Sequence, residues 1–473
     1  MHGKPVLATR TKFCKIRLHG GHGGAYRQLA SRQGIPLFHL PFSRSRMHTE
    51  QALDAIIVGS GPAGAIVARD LARRNWRVLL LEQGSAAPLQ GTLRQMAAMA
   101  AVPGKGAFIN ADGSLLVRGV TSGGSSAINF ATAMAPPMPM FAKYGIDLEP
   151  ALRSLQQEIP MAPLPDALVG PMAARLAQAA RALGHDWHKL DKMILPDKCR
   201  TGCWRCVYGC PFGAKWTARN MVEEAVAAGA ELVPDATVQR VIVQGGRAVG
   251  VEFVRHKQVQ QRFAGVIVLA GGGIGSPRLL HASDLGPARA KHFTDPVIAV
   301  MGTVDDIDGG AEVPMAAGMH LPEEGITLAD MTLPRPMYQA FAAQAGRIDR
   351  LLAHRRTLTV MVKIRDEIGG AIGPRWISKS LQPADRRKLR GGTNLARRIL
   401  AQAGARHIFN SVHFAAHPGG SVRIGEGVNE QLQTSTAGLF VCDASVIPEA
   451  WGLPPTVTLL CLGRRLAEHL DGM

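Results

Sequence analysis

The hydrophobic positions of this chain follow two periods, and their order predicts an α/β fold. Ala55-Ile-Ile-Val58 is an unbroken apolar run, as a strand buried on both faces requires. Ile66, Val67, Leu71 and Ala72 then recur at helical spacing, and Val78-Leu-Leu-Leu81 is a second apolar run. Further along, 231–233, 237–243 and 249–254 read as short strands, with Gly245-Gly246 as a hairpin turn. Residues 266–270 form another buried strand that runs into Gly271-Gly-Gly-Ile-Gly-Ser-Pro277. Helical spacing marks 92–101, 171–183, 217–228 and 383–403. Residues 286–410 differ in character, with scattered strand candidates of which 357–364 is the clearest. Chain order therefore predicts two domains built from interleaved segments. The first takes 47–145, 215–285 and 411–473; the second takes 146–214 and 286–410, with a cysteine-rich insert at 199–215.

The turn after the first strand carries chemistry. Gly59, Gly61 and Gly64 stand at GxGxxG spacing, with Pro62 and Ala63 between the last two. In this pattern the first glycine permits a tight turn, the second lets a pyrophosphate approach the backbone, and the third lets helix and strand pack closely. The helix that follows offers free N–H groups and a positive dipole end to phosphates. Glu82 ends the second strand, 18 residues after Gly64, where a carboxylate can accept hydrogen bonds from ribose hydroxyls. Strand, helix, strand and acid together predict dinucleotide binding.

Composition and charge narrow the classes. The 473 residues are 46% apolar and 19% charged, a globular balance. No apolar run reaches the ~18 residues that a membrane span needs. The net charge of +18 comes half from residues 1–46, which hold nine Lys and Arg and no acid. No nucleic-acid motif accompanies that charge. This stretch also lacks apolar periodicity, and it is expected to be a disordered, dispensable extension or a basic docking arm, with Met47 as an alternative start. Cys199, Cys203, Cys206 and Cys210 crowd into C-x3-C-x2-C-x3-C-Pro211. Thiolates so close can converge on an iron–sulfur cluster of three or four irons (3Fe-4S or 4Fe-4S). Zinc, or thiols without metal, are the alternatives. The absence of a secretory signal suits a cytoplasmic protein; periplasmic co-export with a partner is the alternative.

Five separated stretches resemble one family, the glucose–methanol–choline (GMC) flavoprotein oxidoreductases. They are the opening βαβ unit, Gly123-Gly-Ser-Ser-Ala-Ile-Asn129, Ala270–Leu280, His417-Pro-Gly-Gly-Ser-Val-Arg-Ile-Gly425, and Gly438-Leu-Phe-Val-Cys-Asp443 continuing to Pro455-Thr456. The resemblance implies a Rossmann-like FAD-binding domain and a substrate domain on an antiparallel sheet, here reduced in length. It places Gly124, Ser125 and Asn129 near the flavin, and Asp443 with Ala444 near its ribityl–phosphate region. Val238, Gly271, Pro455 and Thr456 complete the implied FAD contacts. The cysteine run, with Met361-Val-Lys-Ile-Arg-Asp366, resembles a narrower branch that holds fatty alcohol oxidases and some multi-subunit bacterial dehydrogenases. That branch implies an electron-acceptor protein or small subunit as partner.

The implied reaction is oxidation of a small-molecule alcohol by hydride transfer to flavin N5. His417 opens its glycine loop as the matching histidine of the family does, which makes it the expected base; an imidazole is neutral near pH 7 and can take the alcohol proton. His413 is a second candidate. The residue before Pro455 is commonly Asn or His in the family, and here it is Pro454, which has no side-chain donor. Either another residue, His413 or Asn129, is expected to fill that role, or the chemistry is altered. A lyase on the same scaffold, and an electron-transfer subunit, are the competing functions.

Overall fold

A computed structural model describes residues 53–307 and 309–473, and the expected extension at 1–46 lies outside them. The apolar runs become the centre of a seven-stranded sheet. Leu53–Val58 lies between Val78–Leu81 and the end of Gln258–Leu269, parallel to both, with Ala55 opposite Val78 and Val266. Glu231–Val233 extends the sheet beyond Val78–Leu81, and Leu439–Val441 pairs in parallel with Gln258–Leu269. Gln258–Leu269 changes character along its length. Its first eight residues alternate between exposed and half-buried, and its last four are buried. The pattern of buried apolar residues therefore reveals only the last third. The first half pairs antiparallel with Arg247–Arg255, which pairs in turn with Ala236–Gln244. Gly245 and Gly246 make the turn at φ 56° and 76°, as a two-residue hairpin of the primed type demands.

Two glycines of the first turn are forced by space. Gly59 has φ 104°, and a Cβ there would lie 2.3 Å from the Ala270 carbonyl oxygen. A Cβ on Gly64 would lie 2.0 Å from the Gly59 carbonyl oxygen, so this residue lets the helix Pro62–Ala72 press onto the strand. A buried ion cluster then locks that helix in place. Arg69 pairs with Asp70 and Glu158, and Arg464 of the helix Thr456–Asp471 pairs with the same two acids.

The second sheet has nine strands. Its antiparallel centre contains Pro296–Thr303, Thr357–Ile364 and Ile326–Asp330, with Val300 opposite Val360 and Val362 opposite Leu328. Thr357–Ile364 is buried throughout, and strand alternation gives its faces different neighbours. Leu358, Val360, Val362 and Ile364 pack in one core with Leu389, Ala396, Ile399 and Leu400 of the helix Pro383–Gln402. Met361 joins Val297, Met331 and Phe409 on the other face. Ala107–Ile109, Leu115–Val117 and Phe414–Ala415, placed by the sequence reading in the nucleotide part, pair into this second sheet. These strands are two or three residues long, too short for a period to appear. No helix among the described residues is long and apolar enough to cross a membrane.

The turn at Gly59 gives a direct test. Gly59→Ala is expected to destabilise the chain by more than the roughly 1–3 kcal/mol of backbone strain alone, because the methyl also meets a carbonyl. A denaturant midpoint unchanged from the parent would contradict this packing.

Candidate active site

A cavity of about 1150 Å³ is lined from both sheets. Single small-molecule sites usually span ~300–1,000 Å³, so this one has room for a cofactor and a substrate together. Of the sequence-derived cofactor residues, Gly64 lies beneath the turn and the others line the cavity. A Cβ on Gly61 would meet nothing within 4 Å, so the backbone there is open to a ligand.

Ser60 ties the nucleotide end together. Its hydroxyl donates to Glu82 Oε2 at 2.7 Å and accepts from the Gly123 N–H at 3.1 Å. Glu82 also accepts from the Ser60 and Gly84 amides. Burial pushes the Glu82 carboxyl up, and these donors oppose the shift. Val238 lines the same end from the strand Ala236–Gln244.

Arg118, to which the sequence reading gave no role, enters the middle of the cavity. Its Nη1 donates to the Gly271 carbonyl at 3.2 Å. Burial lowers its pKa to about 10, helped by Arg278, while Glu82 and Asp443 oppose. A half-buried cation between two acids beside the glycine turn suits a pyrophosphate. The signal lay in an arginine opening a glycine loop. Asp443 accepts from the Gly272 amide at 2.8 Å and from Ser276 Oγ at 2.5 Å, which fixes the end of Leu439–Val441 against the helix Gly272–Ala282. Burial pushes its carboxyl up too. Ala444 and Pro455 line the cavity beside it.

The far end gathers Asn129, Thr456, His413, His417, Pro454 and Lys363. His417 Nδ1 lies 3.2 Å from Asp295 Oδ2, and Asp295 Oδ1 accepts from the Gly452 amide at 2.8 Å. With the carboxylate as acceptor, Nε2 is left as the free base. Both residues sit at φ 49°, a conformation uncommon outside glycine. Burial holds the His417 pKa well below its usual value, and Lys363 adds to this. Burial pushes Asp295 up, opposed chiefly by Lys363. The sequence reading missed Asp295, which stands 122 residues from His417 with no local pattern to mark it.

The two expected substitutes for Pro454 are engaged elsewhere. His413 Nε2 bonds Asp112 at 3.2 Å. Asn129 Oδ1 accepts from the Ala131 amide, and its Nδ2 reaches Thr456 Oγ1 at 3.4 Å.

The four cysteines come to one small cavity without forming a ready metal site. Among the described residues, no three His, Cys, Asp or Glu form a group that could hold a metal ion. The ligand set suggested by the spacing at Cys199, Cys203, Cys206 and Cys210 is therefore not preassembled. All four are free thiols that line one small cavity with Arg200 and Lys215. Lys215 Nζ donates to the Cys206 carbonyl and to the carbonyls of Ser126, Ala127 and Asn129, joining this segment to the Gly-Ser-Ser loop.

Comparison with known proteins agrees with this geometry. The GMC oxidoreductase family models match residues 53–304 and 371–463, in that order. An uncharacterised GMC-type oxidoreductase of Mycobacterium tuberculosis is 27% identical over 88% of this chain and 75% of its own. A long-chain-alcohol oxidase of Arabidopsis thaliana is 24% identical over 88% of this chain and 66% of its own. Among solved structures, pyridoxine 4-oxidase from Mesorbium loti shares the fold with a TM-score of 0.69 at 18% identity, over 88% of this chain and 99% of its own. The family match covers more than half of the chain and includes the glycine turn, Asp443 and His417: the chain belongs to the GMC oxidoreductase family of FAD-dependent enzymes.

Proposed function

We propose that this enzyme oxidises the CH–OH group of an alcohol with an apolar body. The observation that carries the reading is the His417–Asp295 pair at 3.2 Å, on the wall of a cavity that begins at the glycine turn. In this reading Gly61, the N-terminus of Pro62–Ala72 and Arg118 hold the FAD pyrophosphate. Glu82 and Val238 take the adenosine end. Asp443 and Ala444 take the ribityl–phosphate region, and Ser125, Asn129 and Thr456 flank the ring. The bound flavin supplies a two-electron acceptor for the carbinol hydrogen. His417 Nε2 takes the hydroxyl proton as the C=O bond forms, and Asp295 orients the imidazole and steadies its charged form. Met315, Met331, Leu333, Phe341 and Met361 line the substrate end, where they favour an apolar body and exclude water. The likeness to a long-chain-alcohol oxidase supports the same substrate class.

The cysteine segment extends the proposal. An iron–sulfur cluster on Cys199, Cys203, Cys206 and Cys210 would carry electrons outward to an acceptor protein. Its support is the cavity that the four thiols share and the bonds of Lys215 to both the cysteine segment and the loop through Asn129. Ligand sets are rarely preformed without their metal, so separated thiols are compatible with it. Alcohol oxidation itself requires no such group.

His417→Ala is expected to slow flavin reduction by octan-1-ol roughly 10²–10⁴-fold with FAD still bound, read by anaerobic rapid mixing. Asp295→Asn, which leaves the imidazole in place but misdirected, is expected to cost roughly 10²-fold. Parent-like rates in both variants would remove the pair from the chemistry. For the cluster, protein purified without oxygen is expected to contain iron and acid-labile sulfide. Zinc in their place, or neither element, would refute it.

A further inference from the structure

The protein has four buried lysines among its described residues, and three of them are anchored by hydrogen bonds. Lys192 Nζ donates to the carbonyls of Phe130, Pro314 and Met315. Lys215 donates to four carbonyls, as described above. Lys379 donates to the His292 and Glu367 carbonyls and pairs with Asp366 at 3.0 Å. Lys363 is different. It is 2% exposed, yet its Nζ makes no hydrogen bond or close ion pair with another described residue. Burying a charge without such partners is costly, and proteins rarely tolerate it without a use.

Its position shows where that charge is directed. Lys363 stands on the central strand Thr357–Ile364, in register between Val297 and Thr327. Alternation puts it on the same face as Met361, and both line the cavity beside His417 and Pro454. Asp295 attracts it from the His417 side without reaching it as a hydrogen-bond partner. Pro454 has neither a side-chain donor nor an N–H, while His413 Nε2 is held by Asp112 and one of the two Asn129 Nδ2 hydrogens by Thr456.

We propose that Lys363 is the second catalytic group of the site: its ammonium donates a hydrogen bond to the substrate oxygen opposite His417. This rests on the alcohol-oxidising reading above. As the alcohol O–H proton passes to His417 Nε2 and the carbinol hydrogen leaves with its electron pair to the flavin, negative charge builds on oxygen until the C=O bond is complete. Lys363 stabilises that charge and keeps its own proton. Burial lowers the Lys363 pKa to about 8, with Asp295 opposing, so near neutral pH the group remains mainly the ammonium.

The test compares octanoate with octan-1-ol by calorimetry on the FAD-loaded enzyme near neutral pH. Octanoate places an anionic oxygen where the reacting oxygen would sit. The parent is expected to prefer octanoate by about tenfold or more, the worth of one charge-assisted hydrogen bond. Lys363→Met should abolish the preference at unchanged FAD content and slow flavin reduction by octan-1-ol roughly 10²–10³-fold. Lys363→Arg should retain the preference. Should Lys363→Met fail to fold, Lys363→Gln takes its place in the same comparison. A parent without the preference, or a neutral variant that keeps it, overturns the proposal. If octan-1-ol and other alcohols fail to reduce the flavin while the octanoate preference still depends on Lys363, the alcohol reading falls and the oxygen-binding role stands.

Discussion

The hydrogen bond between His417 and Asp295 fastens the glycine loop of the C-terminal segment onto the antiparallel sheet. Neither residue sits in relaxed backbone. Gly273 lets the loop close down, since a Cβ there would lie 1.9 Å from the Pro418 carbonyl oxygen. Asp295 takes its second bond from Gly452, next to the segment that carries Pro454. The loop, the strand that begins at Pro296 and the turn before Thr456 are thereby set relative to one another. Their common surface is the wall that faces the nucleotide turn.

Electrostatics follow from the same arrangement. Asp295 and Lys363 are buried together, where water cannot screen them, so each shifts the other. The cation also helps keep His417 unprotonated, and burial acts in the same direction. A neutral imidazole beside a retained ammonium can accept a proton while the neighbouring charge stabilises the oxygen left behind. The wall around them is built of methionine and aliphatic side chains, which strengthens both effects by excluding water.

Local steric demands made much of the fold legible in the sequence. Gly59 and Gly64 are needed for a turn and a helix contact only a few residues away, and Ala55–Val58 and Val78–Leu81 read as buried strands from composition alone. The helix starts at Thr92 and Thr217 are likewise local: Thr92 Oγ1 accepts from the Gln95 amide, and Asn220 Oδ1 accepts from the Thr217 amide. Asp295 and Lys363 were not legible as partners. Nothing beside Asp295 distinguishes it, and Lys363 lies in a strand whose alternation only the fold turns toward the cavity. The cysteine run shows the opposite failure. Its spacing is conspicuous and brings four thiols to one small cavity, but among the described residues it does not arrange them as a ready metal site.

The central claim is that this cavity removes a hydrogen from the carbinol carbon of an apolar alcohol. The most direct measurement is the rate of flavin reduction by octan-1-ol and by its 1,1-dideuterated form, mixed rapidly with oxidised enzyme without oxygen at saturating alcohol. The account predicts that reduction occurs and that deuterium slows it by a primary isotope effect. Absence of reduction by octan-1-ol and by other apolar alcohols would contradict it.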